Sequence, residues 1–205
     1  FSPNEFTLDT ISVKPDNSLE VFVKGFGLSY STNPQTYLDR NFESSGPVET
    51  TTALLYHEAQ ELKRNRKPTK ALEVFRQVIE KDPYHFGGLN AMAEIYLEQG
   101  NYNVALDYVK KVLLVDTYQA DANFIAGNIY QMMGNNLDAL EAYGWAARSM
   151  KYRAAAFMEM GGIFIKEEDD QQAKNYLEKS LKFNQDNLIT RHLLAVVYRR
   201  TGDED

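Results

Sequence analysis

The 205-residue chain contains no cysteine. That excludes a disulfide framework, a thiolate metal site and a thiol nucleophile together. Positive charge is also short. Against 29 Asp and Glu stand 22 Lys and Arg, a net charge of −7, which disfavours broad attraction to nucleic-acid phosphates or anionic lipid. No apolar run approaches the roughly 20 residues that cross a bilayer. The start, Phe1-Ser2-Pro3-Asn4-Glu5, is unlike a signal peptide. Opening on Phe, the sequence reads as a processed or excised piece. What remains, 43% hydrophobic and 25% charged residues, is ordinary for a soluble globular chain of one to two domains.

What is present is a period. Ala71, Ala105, Ala139 and Ala173 recur every 34 residues. Ala59, Ala93, Gly127, Gly161 and Ala195 form a second column, all small. Leu62, Tyr96, Tyr130, Phe164 and Tyr198 form a third, all large, and Phe75, Val109, Tyr143 and Leu177 a fourth. Within each unit, apolar residues three or four apart mark two amphipathic helices. Gly100-Asn101 and Gly134-Asn135 punctuate them as helix stops and tight turns, and Asp82-Pro83 ends the first unit. Small residues let helix backbones approach, and a single unit cannot bury both its faces, so the units must stack. The fold class predicted is mainly α, a helical solenoid over 50–205.

The pattern of a small residue at position 8, an aromatic at 11, Ala at 20, a large residue at 24 and Pro at 32 resembles the tetratricopeptide repeat (TPR). Counting from Thr52, Phe86, Ala120 and Ala154 gives four repeats, with a fifth first helix from Leu188. Departures are Asn123 and Arg191 where a large apolar residue is usual, and Glu58 where Leu is usual. Only the first repeat has Pro; Thr117, Lys151 and Gln185 stand at the later equivalents. The runs DTYQADANFIAGNIYQMMG, RAAAFMEMGGIFIKE and LEKSLKFNQDNLITRHLLAVVYRR are similar to the TPR region of large bacterial multidomain proteins that also carry a β-rich domain of unknown function. That resemblance implies an excised segment and brings no catalytic motif.

Residues 1–49 differ in character. FTLDTISVK at 6–14 and LEVFVKGF at 19–26, separated by Pro15-Asp16-Asn17-Ser18, predict a β-hairpin. Residues 27–49 read as a connector. An isolated hairpin is marginal in water, so it is expected to pack on the first helices or belong to a β-domain upstream.

Chemistry is hard to find. His57, His85 and His192 fall in different repeats, without the clustered spacing of a metal site. Gly87-Gly88 and Gly161-Gly162 lack the preceding strand of a phosphate loop. The carboxylates of 167–170 lie in a predicted solvated turn, unsuited to acid–base work. No enzyme, cofactor or metal is predicted. The basic run 63–67 and the acidic run 167–170 occupy nearly equivalent turns, and are expected to polarise one edge of the array.

The resemblance implies a binding face made of first helices. Its positions here are Tyr56, His57, Gln60, Lys63 and Arg64; Asn90, Glu94 and Glu98; Phe124, Asn128, Gln131 and Met132; Met158, Glu159, Ile165 and Lys166; and His192, Val196, Arg199 and Arg200. Amides there could bond an extended peptide, with Phe124 and Met158 as apolar contacts. A carboxylate-clamping TPR would need Lys, Arg or Asn where Tyr56, Gln60, Ala91, Asp121 and Ile125 stand, and an acidic residue in place of a cation disfavours that variant. Leu193, Leu194, Val197 and Tyr198 make an apolar stripe on the last helix, expected to meet more of the chain or a second copy. The function predicted is a non-catalytic protein- or peptide-binding scaffold serving a partner or attached domains, with no nucleic acid and no membrane. The alternative is an accessory region of a carbohydrate-active enzyme.

Overall fold

The computed structural model describes residues 51–202 and, before them, only the backbone of Leu8–Val13, Leu19–Val23 and Leu28–Ser31. The chain divides into two compact units, Phe1–Glu49 and Thr50–Asp205, each considered by itself. In the first, β1 (Leu8–Val13), β2 (Leu19–Val23) and β3 (Leu28–Ser31) run antiparallel in that order, with Ile11 opposite Val21 and Val21 opposite Tyr30. The turn of the expected hairpin, 14–18, and most of the connector lie outside the described residues.

The second unit is helical. Among the described residues it holds nine helices: α1 (Thr52–Arg64), α2 (Pro68–Lys81), α3 (Phe86–Glu98), α4 (Tyr102–Val115), α5 (Ala120–Met132), α6 (Asn136–Ala146), α7 (Arg153–Lys166), α8 (Asp170–Phe183) and α9 (Leu188–Thr201). Helix starts repeat with the period. Thr51, His85, Gln119 and Asn187 each accept the backbone N–H three residues on, satisfying a donor that the first turn leaves orphaned. At α7 the equivalent residue, Arg153, instead donates to the Ala147 and Arg148 carbonyls.

The turn inside each hairpin repeats as well. Arg66, Gly100, Gly134, Glu168 and Gly202 all sit at positive φ, between 55° and 80°. Glycine takes this left-handed conformation freely. Arg66 and Glu168 take it at a cost, because the repeat geometry demands it of whatever residue stands there.

Packing follows the columns. Phe75, Val109, Tyr143 and Leu177 are fully buried and face the small column. A Cβ on Gly127 would lie 2.5 Å from Tyr143 Cε1, and one on Gly161 would lie 2.7 Å from Leu177 Cγ. Those glycines are the reason α5 and α7 can seat on α6 and α8. The aromatic column stacks inside its own hairpin, Tyr96 on Tyr108 at 5.6 Å and Phe164 on Tyr176 at 5.4 Å, nearly parallel in both cases. The stripe on α9 is less bare than its sequence suggests. Leu194 and Val197 are buried in a cluster with Ala173 and Leu177 of α8, and the Tyr198 hydroxyl donates to Glu178 Oε1 at 3.2 Å. Leu188 and Ile189 are the large apolar residues that α9 leaves exposed.

Candidate functional site

First helices place the side chains of two adjoining hollows. The first, about 320 Å³, is lined by Tyr56 and Gln60 of α1, Gly87, Asn90, Ala91 and Glu94 of α3, Gln119, Asp121 and Ile125 around α5, and Lys151 and Tyr152 before α7. Gly87 makes room for it: a Cβ there would meet the Tyr56 hydroxyl at 2.7 Å. The Tyr56 ring leans on His85 at 4.6 Å and on Phe75 at 6.0 Å, while its oxygen accepts from Gln60 Nε2 at 2.7 Å.

Charge in this hollow is matched in pairs. Lys63 bonds Glu94, joining α1 to α3, and Lys151 bonds Asp121. Asp121 also accepts from the Tyr152 hydroxyl and, at 2.8 Å, from Gln119 Nε2. Burial pushes the Asp121 carboxyl up, but its hydrogen bonds from Lys151, Tyr152 and Gln119 outweigh that and hold it below the usual aspartate value. One group stays unmatched. Asn90 is 7% exposed; its Nδ2 makes a long 3.5 Å contact to Gln119 Oε1, and its buried Oδ1 has no hydrogen-bond partner. A buried carbonyl left so is costly, and a donor arriving from outside would relieve it.

The second hollow, about 670 Å³, is lined by residues 97–100 and Tyr102, with Asn128, Gln131 and Met132 of α5 and Glu159 of α7. Its amides are held from beneath. The buried Tyr143 hydroxyl donates to Asn128 Oδ1 at 2.7 Å, with Gln131 Oε1 at 3.0 Å as second acceptor. Burial raises the Glu159 carboxyl above the usual glutamate value, with the Lys166 charge and a hydrogen bond from Gln131 opposing.

Of the residues proposed from sequence, the structure gathers Tyr56, Gln60, Asn90 and Glu94 in one hollow and Glu98, Asn128, Gln131, Met132 and Glu159 in the other. Lys63, Arg64, Ile165, Lys166, Val196, Arg199 and Arg200 line neither hollow, and neither do His57, His192, Met158 and Phe124. His57 is exposed, 3.9 Å from Glu61, and His192 is exposed on α9. Met158 is half-buried, its sulfur 3.7 Å from Asn187 Nδ2. Phe124, expected on the open groove, packs between Tyr152 at 4.7 Å and Tyr143 at 5.6 Å, which makes it part of the support.

Gln119, Asp121, Lys151 and Tyr152 were not foreseen. Only Gln119 carried a signal, since it stands one period after His85 in the capping column. The charged turns are also partly spent: Arg64 bonds Glu61, and Arg200 Nε lies 3.3 Å from Asp170. Among the described residues no group of three or more His, Cys, Asp or Glu could hold a metal, and no helix is long and apolar enough to cross a membrane. Fixed donors, acceptors and paired charges of this kind suit recognition of another polar chain.

The model of the TT21 fifth ARM repeats domain matches residues 53–165, and that of the tetratricopeptide repeat matches 154–187. The human tetratricopeptide repeat protein 6 is 27% identical over 144 residues, which is 68% of this chain and 27% of the human protein. The chain thus spans about a quarter of the length of the curated relative it matches. The crystal structure of MamA protein superposes with a TM-score of 0.64 at 20% identity, covering 75% of this chain and 84% of that one. A chain in the hetero-tetramer Cut9–Hcn1 of the APC/C gives a TM-score of 0.65 at 14% identity, covering 72% of this chain and 30% of that one. At these identities the likeness is one of fold.

Proposed function

The chain belongs to the family of the TT21 fifth ARM repeats domain and is a tetratricopeptide-repeat protein, and on that premise we propose that it is a non-catalytic scaffold whose first-helix face holds an extended segment of a partner protein. The observation that carries this reading is the hollow between α1, α3 and α5. Its charges are already paired, so it offers no strong pull on a free ion, yet the Asn90 carbonyl still needs a donor. A peptide N–H supplies one, and Gln60 and Tyr56 beside it present further polar atoms. The Cut9–Hcn1 structure is that of a hetero-tetramer, which agrees with a protein as the partner. Service to attached domains of a larger bacterial protein belongs to the same proposal and rests on sequence resemblance alone.

The test is selection of a phage-displayed random peptide library on the chain, followed by titration of the enriched peptides against Asn90→Ala and Gln60→Ala. Loss of one hydrogen bond in each should weaken binding about tenfold. Enriched peptides that bind both variants as well as the parent would sink the assignment of this face. Failure of all peptides, with capture of glycans on an array, would favour the accessory-region alternative.

A further inference from the structure

A third hollow, about 240 Å³, opens on the other side of α5, between it and the helices α4 and α6, and shares no lining residue with the two above. Its origin is one residue. At the fourth position of their repeats, Leu55 and Leu89 are buried and Phe157 packs on Tyr176. The third repeat has Asn123 there, shorter and polar, and the space beside it stays open to Leu113, Ala126 and Trp145.

Asn123 is only 4% exposed. Its Nδ2 donates to the Thr117 carbonyl at 2.9 Å and the Gln119 carbonyl at 3.0 Å, bracing the α4–α5 turn. The oxygen edge of the amide therefore faces away from those carbonyls, toward the hollow, and no hydrogen bond reaches it. Asp138 and Glu141 of α6 also line the hollow, with no basic residue beside them in the lining. Neither has an ion-pair partner among the described residues. Both charges act on the Tyr130 hydroxyl, which burial first and then these carboxylates push up. The hollow thus combines an apolar wall, the aromatic rings of Tyr130 and Trp145, an unpaired acceptor and two unpaired negative charges.

We propose that this hollow is a second docking site, independent of the first-helix face, and that it takes one arginine side chain from a partner protein. A volume below the roughly 300 Å³ at which small-molecule pockets begin suits a side chain rather than a cofactor. Arginine fits better than lysine. Its planar fork can donate to Asn123 Oδ1 and a carboxylate at once, while its stem lies along Leu113 and Ala126. The ring already tolerates such a group: Arg148 of this chain lies over Trp145 at 4.6 Å.

Trp145 is the chain's single tryptophan and lines this hollow, so its fluorescence senses an occupant there. The probe is the peptide acetyl-Gly-Ala-Arg-Ala-Gly-amide, compared with its citrulline analogue, which keeps the shape and loses the charge. The arginine peptide should give a saturable change below about 10 mM, and citrulline should bind at least about tenfold more weakly. The exposed pair Asp138→Asn with Glu141→Gln should weaken binding by about tenfold or more while leaving the fold intact. Asn123→Leu, which restores the residue of the first two repeats, should abolish it. No saturable change with the arginine peptide overturns the proposal. So does equal binding of citrulline, or binding that the Asp138/Glu141 pair leaves unaltered.

Discussion

Gly161 and Gly162 are neighbours in α7, and alanine should stabilise the chain at one and not at the other. Both lie in a helix interior, where Gly→Ala gains roughly 0.8–1.0 kcal/mol of intrinsic propensity. At Gly162 a Cβ meets nothing within 4 Å, so the gain should appear nearly whole. At Gly161 the Cβ would stand 2.7 and 2.8 Å from the Cγ and Cδ2 of Leu177, well inside ordinary carbon contact. Leu177 is fully buried and cannot swing into solvent. Overpacking of this kind costs about 1–3 kcal/mol. Gly161→Ala should therefore range from near neutral to about 2 kcal/mol less stable than the parent, and the two variants should differ by about 1–3 kcal/mol. Urea denaturation followed by far-UV circular dichroism resolves this as displaced midpoints at constant slope. If Gly161→Ala stabilised the chain as much as Gly162→Ala, the close approach of α7 and α8 would not be what the small column serves.

Glycine at the two strained turns, Arg66→Gly and Glu168→Gly, should stabilise by about 1 kcal/mol each, read as a rise in Tm. The sites are far apart, so the gains should add. Phe124→Ala should cost about 2–4 kcal/mol, as loss of an aromatic packed on two tyrosines; an unchanged Tm would return Phe124 to the open groove. Glu159 has a raised folded-state pKa, so its ionisation opposes folding once pH passes the unfolded value near 4.5. Glu159→Gln should then be more stable than the parent at pH 7, with the advantage fading as pH falls below that value, and a pH series of melting curves checks it.

The repeat was legible because the residues that pack it recur. Gly127 opposite Tyr143 and Gly161 opposite Leu177 are one contact seen twice, and period alone locates both. Turn geometry was half legible. Gly100 and Gly134 announce a left-handed residue, whereas Arg66 and Glu168 adopt it only because the hairpin imposes it. The first-helix positions put Tyr56, Gln60, Asn90 and Glu94 on one face in the sequence, and in the structure these four line one hollow. Lys151 and Tyr152 were hidden because they precede α7, outside the first helix itself, and reach back a whole repeat to Asp121. Phe124 misled for the same reason: its cover, Tyr152, comes from the linker before the next repeat. Asn123 was visible as a departure from the repeat pattern, but the space it leaves depends on Leu113 and Trp145 from flanking helices.

On this reading the first-helix face of the array holds the partner. An ¹⁵N chemical-shift map of the chain, titrated with one peptide enriched from the library, locates it directly. The largest shifts should fall on Gln60, Asn90, Glu94, Asp121 and the Gln131 amide, with the exposed outer residues Leu114 and Leu137 unmoved. Shifts confined to α4 and α6, with the Asn90 side chain unperturbed, would contradict it.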